Sequence, residues 1–129
     1  MKQLRQILLL VIFALASLSV KAQNDTESLV QNLQTANFNN LLAYWDAQVE
    51  VNLPDMVGQR PYTAKEANEL LQTFFNKHNI LGFDKNAARK VGSTLYLTGK
   101  LISGTLKYNL TLLLQENKKG FTIVSVRVS

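Results

Sequence analysis

From Leu95 to Val128 the apolar residues recur with a period of two, in three runs separated by turn residues. Leu95, Leu97 and Leu101 fall on one face, with Thr94, Tyr96, Thr98 and Lys100 on the other. Ser103-Gly104 supplies a turn. Leu106, Tyr108, Leu110, Leu112 and Leu114 then alternate with Lys107, Asn109 and Thr111. After a second turn at Asn117-Lys118-Lys119-Gly120, Phe121 to Val128 forms a β-branched strand with Val124, Val126 and Val128 in phase. Successive strands joined by short turns pair antiparallel, so the C-terminal third of the chain predicts an antiparallel sheet with one buried face.

The helical pattern lies upstream. Thr63-Ala64-Lys65-Glu66 has the form of a capping box, in which the threonine hydroxyl and the glutamate carboxylate satisfy each other's free backbone N–H groups. Ala67, Leu70, Leu71, Phe74 and Phe75 form a broad apolar stripe behind it, with Asn68, Glu69, Gln72 and Asn76 on the polar side. The spacing predicts a helix ending near His78. Leu29, Val30 and Leu33 mark a first helix, capped by Asp25 or Thr26 and broken at Asn37. Phe38, Leu41, Leu42 and Trp45 mark a short second one, with Asp46 at its end. Val49, Val51 and Leu53 alternate with Glu50 and Asn52 in a strand stopped by Pro54, and residues 54–62 read as a loop. Ile80 to Phe83 reads as a short strand, and residues 84–90 are basic and are assigned to no element. Helices early and hairpins late predict an α+β domain with helices on one face of the sheet.

Residues 1–22 have the form of a signal peptide. Lys2 and Arg5 precede an apolar run from Ile7 to Val20, too short for the ~20 residues of a membrane-spanning helix, and Ala22 is the small residue expected before cleavage. The expected mature chain is a single domain over 23–129, exported to the periplasm or beyond and free of the membrane. Cleavage removes three of the 14 basic residues, Lys2, Arg5 and Lys21, and none of the nine acidic ones. The formal charge of +5 therefore falls to +2. That weak surplus, without interleaved aromatics, argues against a nucleic-acid partner. The 129-residue chain has no cysteine, which excludes a disulfide framework, a thiolate metal site and a cysteine nucleophile.

Three stretches resemble a known group of proteins. Pro61-Tyr62-Thr63-Ala64-Lys65-Glu66-Ala67 with Leu70-Leu71 and Phe74-Phe75 is one. Tyr96-Leu97-Thr98-Gly99-Lys100-Leu101 and Phe121-Thr122-Ile123-Val124-Ser125-Val126-Arg127-Val128 are the others. With the element order, they resemble the nuclear transport factor 2-like superfamily, the cystatin-like α+β cone also adopted by ketosteroid isomerase. Within it they are similar to a branch of small secreted bacterial proteins catalogued as a domain of unknown function. The resemblance implies three N-terminal helices packed on a curved antiparallel sheet. The superfamily holds enzymes, adaptors and ligand-binding domains, so the fold does not choose a function.

Chemistry is sparse. One histidine and no cysteine leave no basis for a metal site, and phosphate-loop, dinucleotide and nucleophile-elbow motifs are absent, so no metal or cofactor is expected. Enzymes of the resembled superfamily use a carboxylate, a tyrosine or a histidine–acid pair inside the cone, where an apolar wall raises a carboxyl pKa. Asp46 and His78 are the candidates here, but no complete acid–base set transfers to this sequence. The reading is a non-catalytic exported domain that binds a small apolar ligand or an exported protein partner, with Trp45, Tyr62, Phe75 and Asp46 lining a pocket. Dimerisation through the sheet face is a further expectation, because Leu112-Leu113-Leu114 places leucine on both faces. The alternative is a small isomerase, dehydratase or hydrolase with Asp46 or His78 as acid–base.

Overall fold

The computed structural model describes residues 26–56, 60–118 and 120–129. The expected signal peptide and its cleavage point after Ala22 lie outside them. No helix of the described residues is long and apolar enough to cross a membrane.

The chain is helical over 26–34 (α1) and Phe38–Leu41 (α2), then tightens into a 3₁₀ turn over Leu42–Tyr44. Strands β1 (Trp45–Asn52) and β2 (Pro61–Tyr62) precede the long helix α3 (Ala64–Lys77). Strands β3 (Gly82–Val91), β4 (Thr94–Ser103), β5 (Leu106–Asn117) and β6 (Gly120–Val128) complete the chain. All six strands form one curved sheet in the order β2-β1-β6-β5-β4-β3.

Helix α3 starts where the sequence places it. The Thr63 hydroxyl accepts from Glu66 N–H at 3.2 Å, and the Glu66 carboxylate accepts from Thr63 N–H at 3.2 Å. Ala67, Leu71, Phe74 and Phe75 face inward. Helices α1 and α3 end alike. In α1, Asn37 N–H donates to Asn32 O at 2.9 Å, with Ala36 left-handed at φ 53°. In α3, Ile80 N–H donates to Phe75 O at 2.9 Å, with Asn79 at φ 51°. Both are Schellman closures, which satisfy the last helical carbonyls.

Five local expectations are corrected. The loop expected over 54–62 ends early, since Pro61 and Tyr62 pair with Glu50 and Val49 as strand β2. The Phe38–Trp45 segment is not one helix. The 3₁₀ turn rotates Leu42 out to 44% exposure, and Trp45 is already extended, so Trp45 and Asp46 open a strand. The sheet is mixed rather than wholly antiparallel, since β1 runs parallel to β6 with Val51 opposite Val126. Val124 is out of phase with Val126 and Val128, because Leu113 pairs with Ser125 and Leu114 with Ile123. Val124 is thus the extra residue of a bulge, and Ile123 points inward in its place. The strand before β4 is not short: it runs through the exposed residues 84–91, held by its pairing with β4.

The inner face of the sheet carries Val49, Val51, Leu97, Leu101, Leu110, Leu112, Ile123 and Val126, all at most 4% exposed. Leu29, Leu33, Leu41, Leu71, Phe74 and Phe75 cover it from the helices, and together they form one core.

Candidate functional site

The residues expected to line a pocket separate in the fold. Trp45 is buried, and its indole N–H donates to Asn68 Oδ1 at 2.9 Å. Asn68 in turn donates from Nδ2 to the Phe38 carbonyl at 3.0 Å. Phe75 is also buried, edge-on to Phe38 with ring centroids 5.0 Å apart. Both aromatics fill the cone and bind the helices to β1. Tyr62 lies half-buried at the β2 edge opposite Val49, with the Arg60 guanidinium 4.6 Å from its ring centroid. Asp46 follows Trp45 in the strand and accepts a hydrogen bond from Thr122 Oγ1 at 3.4 Å.

His78 caps the C-terminal end of α3 and belongs to a different cluster. Its Nε2 lies 3.0 Å from Asp55 Oδ2, its Nδ1 lies 3.2 Å from the Tyr108 hydroxyl, and its ring stacks on Phe74 at 4.4 Å. Lys77 Nζ donates to the same Asp55 oxygen at 3.2 Å, and the Ser103 hydroxyl donates to the His78 carbonyl. The hydrogen bond from His78, then that from Lys77, holds the Asp55 carboxyl below the usual carboxylate range. The Asp55 carboxylate can only accept, so the imidazole donates to it from Nε2, and the Tyr108 hydroxyl takes up Nδ1. Both ring nitrogens are then occupied, and neither is left for a substrate. Asp55 was not legible in sequence: it sits in a turn after Pro54, 23 positions from His78, with no pattern linking them. Among the described residues no three metal-ligating side chains converge.

A groove of about 660 Å³ opens on the other side of the sheet. It forms there because alternation turns the partners of the core residues outward. Glu50 and Asn52 flank buried Val51, Ser125 and Arg127 flank Val126, Thr111 and Leu113 flank Leu112, and Tyr96 precedes Leu97. Register aligns them into two rows across the strands. In one, Pro61, Glu50, Ser125, Leu113, Tyr96 and Arg89 stand opposite one another in turn. In the other, Asn52, Arg127, Thr111 and Thr98 do the same. Arg60 and Pro61 form the lip at the β2 edge. A shallower hollow bounded by Ala87, Arg89, Val91 and Thr98 continues past Tyr96 toward β3. The sequence contains the alternation but does not show which outward residues share a row, since the pairing of β1 with β6 sets that.

A family model described as "Domain of unknown function (DUF4783)" matches residues 26–129. The chain belongs to this DUF4783 family. Solved members include a DUF4783 protein from Bacteroides uniformis ATCC 8492, with a TM-score of 0.71 at 16% identity over 80% of this chain and 94% of that one. Another, from Bacteroides ovatus ATCC 8483, gives 0.70 at 17% identity over 78% and 89%. A protein of unknown function from Cytophaga hutchinsonii, described as nuclear transport factor 2-like, gives 0.57 at 17% over 84% and 88%. These likenesses establish the cone fold expected from the sequence and carry no activity. No curated protein matches the chain.

Proposed function

We propose that this DUF4783 protein is an exported, non-catalytic binding domain that engages its ligand on the outer face of the sheet. The observation that carries this is the division of labour between the two faces. The inner face and the helices are committed to the core, and the aromatic residues that would line a cone pocket are packed and hydrogen-bonded there. The outer face has an open groove within the 300–1,000 Å³ range of small-molecule sites, with polar groups gathered beside an apolar strip. The acid–base candidates favour the same reading. Asp46 is engaged by Thr122, and His78 is saturated by Asp55 and Tyr108.

Export follows from the charged and apolar pattern of residues 1–22. Fractionation of the native host with N-terminal sequencing is expected to find a chain beginning at Gln23 outside the cytoplasm. A product retaining Met1 in the cytoplasm would overturn that part. The filled cone is tested through Trp45, the single tryptophan. Its fluorescence is expected to resist acrylamide quenching and to stay unchanged on addition of a long-chain fatty acid. A saturable change in Trp45 emission would put an apolar ligand inside the cone and contradict the outer-face reading.

A further inference from the structure

Arg127 stands near the middle of the outer face, on a strand flanked by β1 and β5, and its row neighbours Asn52 and Thr111 are neutral. Among the described residues it has no ion pair and no side-chain hydrogen bond. Glu50, one row away, likewise has none, although both line the same groove. Beside them lie Tyr96, 40% exposed, and the half-buried Leu113. One groove therefore holds an uncommitted guanidinium, an uncommitted carboxylate, neutral hydrogen-bonding side chains and an aromatic face on a sheet that does not need to move.

The set discriminates among ligand classes. A purely apolar ligand would desolvate Arg127 and Glu50 without replacing their water, which is costly. A polyanion such as nucleic acid would meet the Glu50 carboxylate. An extended peptide lying across the groove could not add to the ladder, because β6, β5 and β4 each have a strand on both sides and turn only side chains toward the groove. A hydroxyl-rich ring with one carboxylate fits the remaining chemistry. Guanidinium pairs bidentately with carboxylate, Glu50, Asn52 and Thr111 serve hydroxyls, and an aromatic side chain offers an apolar face with a polar edge. Strands spaced about 4.8 Å apart make the span from β2 to β4 about 19 Å, room for more than one sugar ring.

We infer that the groove binds a short oligosaccharide carrying a single uronate, with that carboxylate on Arg127 and a sugar face on Tyr96. This rests on the outer-face reading above. The test uses the exported protein and, as probe, aldotriouronate (a xylobiose bearing a single glucuronate), by calorimetry and by amide NMR shifts. Saturable binding is expected, with shifts at Glu50, Tyr96, Thr111, Ser125 and Arg127. Arg127→Gln is expected to weaken binding about tenfold or more, the loss of a charge-assisted hydrogen bond, with an unchanged melting temperature. Tyr96→Ala is expected to weaken it several-fold, and the methyl ester of the uronate to bind about tenfold more weakly than the acid.

Equal binding of acid and ester, or no shifts at millimolar aldotriouronate, would overturn the inference. If an acidic peptide such as tetraglutamate shifts the groove residues while the sugar does not, the ligand class fails and the groove reading survives. A dimer that buries Arg127 and dissociates in Arg127→Gln would have the same consequence. Sugar-induced shifts confined to Trp45, Leu71 and Phe75 would sink both.

Discussion

Removing the Asn68 carboxamide orphans two buried partners at once, the Trp45 indole N–H and the Phe38 carbonyl. Each orphaned group costs about 1–3 kcal/mol, so Asn68→Leu is expected to destabilise the fold by roughly 2–5 kcal/mol in urea denaturation. Helical spacing puts Asn68 among the polar residues of α3, and nothing in the sequence reveals that an indole needs it as an acceptor. Trp45 and Phe75 show the converse difficulty: an aromatic at helical or strand spacing reads identically as pocket wall or core. Gly99 is set by its neighbours too, since a Cβ there would approach Asp84 O to 2.4 Å and the Phe83 ring to 2.5 Å. Gly99→Ala is expected to cost about 1–3 kcal/mol by forcing that stack apart, read as a lower melting temperature. Asp55 sets a pH dependence. Its carboxyl pKa is depressed in the folded state by the hydrogen bonds from His78 and Lys77, so its contribution is present above the unfolded carboxylate pKa. That contribution is lost as pH falls through the depressed folded value. The stability gap between the wild type and Asp55→Asn should therefore shrink as acid protonates the Asp55 carboxylate. A gap that widens toward low pH would contradict this.

Elements were legible where local chemistry defines them. The capping box located the start of α3, and Thr63→Ala is expected to cost about 1 kcal/mol in equilibrium unfolding. The turns at Ser103-Gly104 and around Asn117 separated β4, β5 and β6 because period-two runs lie on either side of them. The break at Asn37 was legible, but its agent is Ala36, a side-chain-bearing residue held in the left-handed region. A left-handed backbone costs an L residue about 1–2 kcal/mol, and glycine returns part of that in unfolded-state entropy. Ala36→Gly is thus expected to raise stability by roughly 0.5–1 kcal/mol, measured as a higher denaturation midpoint. Two features left no local trace. Strand β3 is exposed on both faces beyond Phe83 and owes its form to β4, not to its own pattern. The bulge at Val124 reverses the phase of β6 halfway, which a run of β-branched residues hides.

At the scale of the molecule, the cone was legible from element order and from the family likeness, whereas the groove was not. Its rows depend on the parallel pairing of β1 with β6, which joins the first long strand to the last. Core and groove should separate under mutation. Leu71→Ala, at a fully buried position, is expected to cost 2–5 kcal/mol, while Arg127→Gln on the exposed face should change stability by less than about 0.5 kcal/mol. The most direct test of the central claim is a crystal structure of the protein isolated from its native exported compartment, inspected for ligand density. Density in the groove between Glu50, Arg127 and Tyr96, over a cone filled by Trp45 and Phe75, is the expected result. Density inside the cone, with Trp45 or Phe75 displaced to admit it, would contradict the outer-face reading.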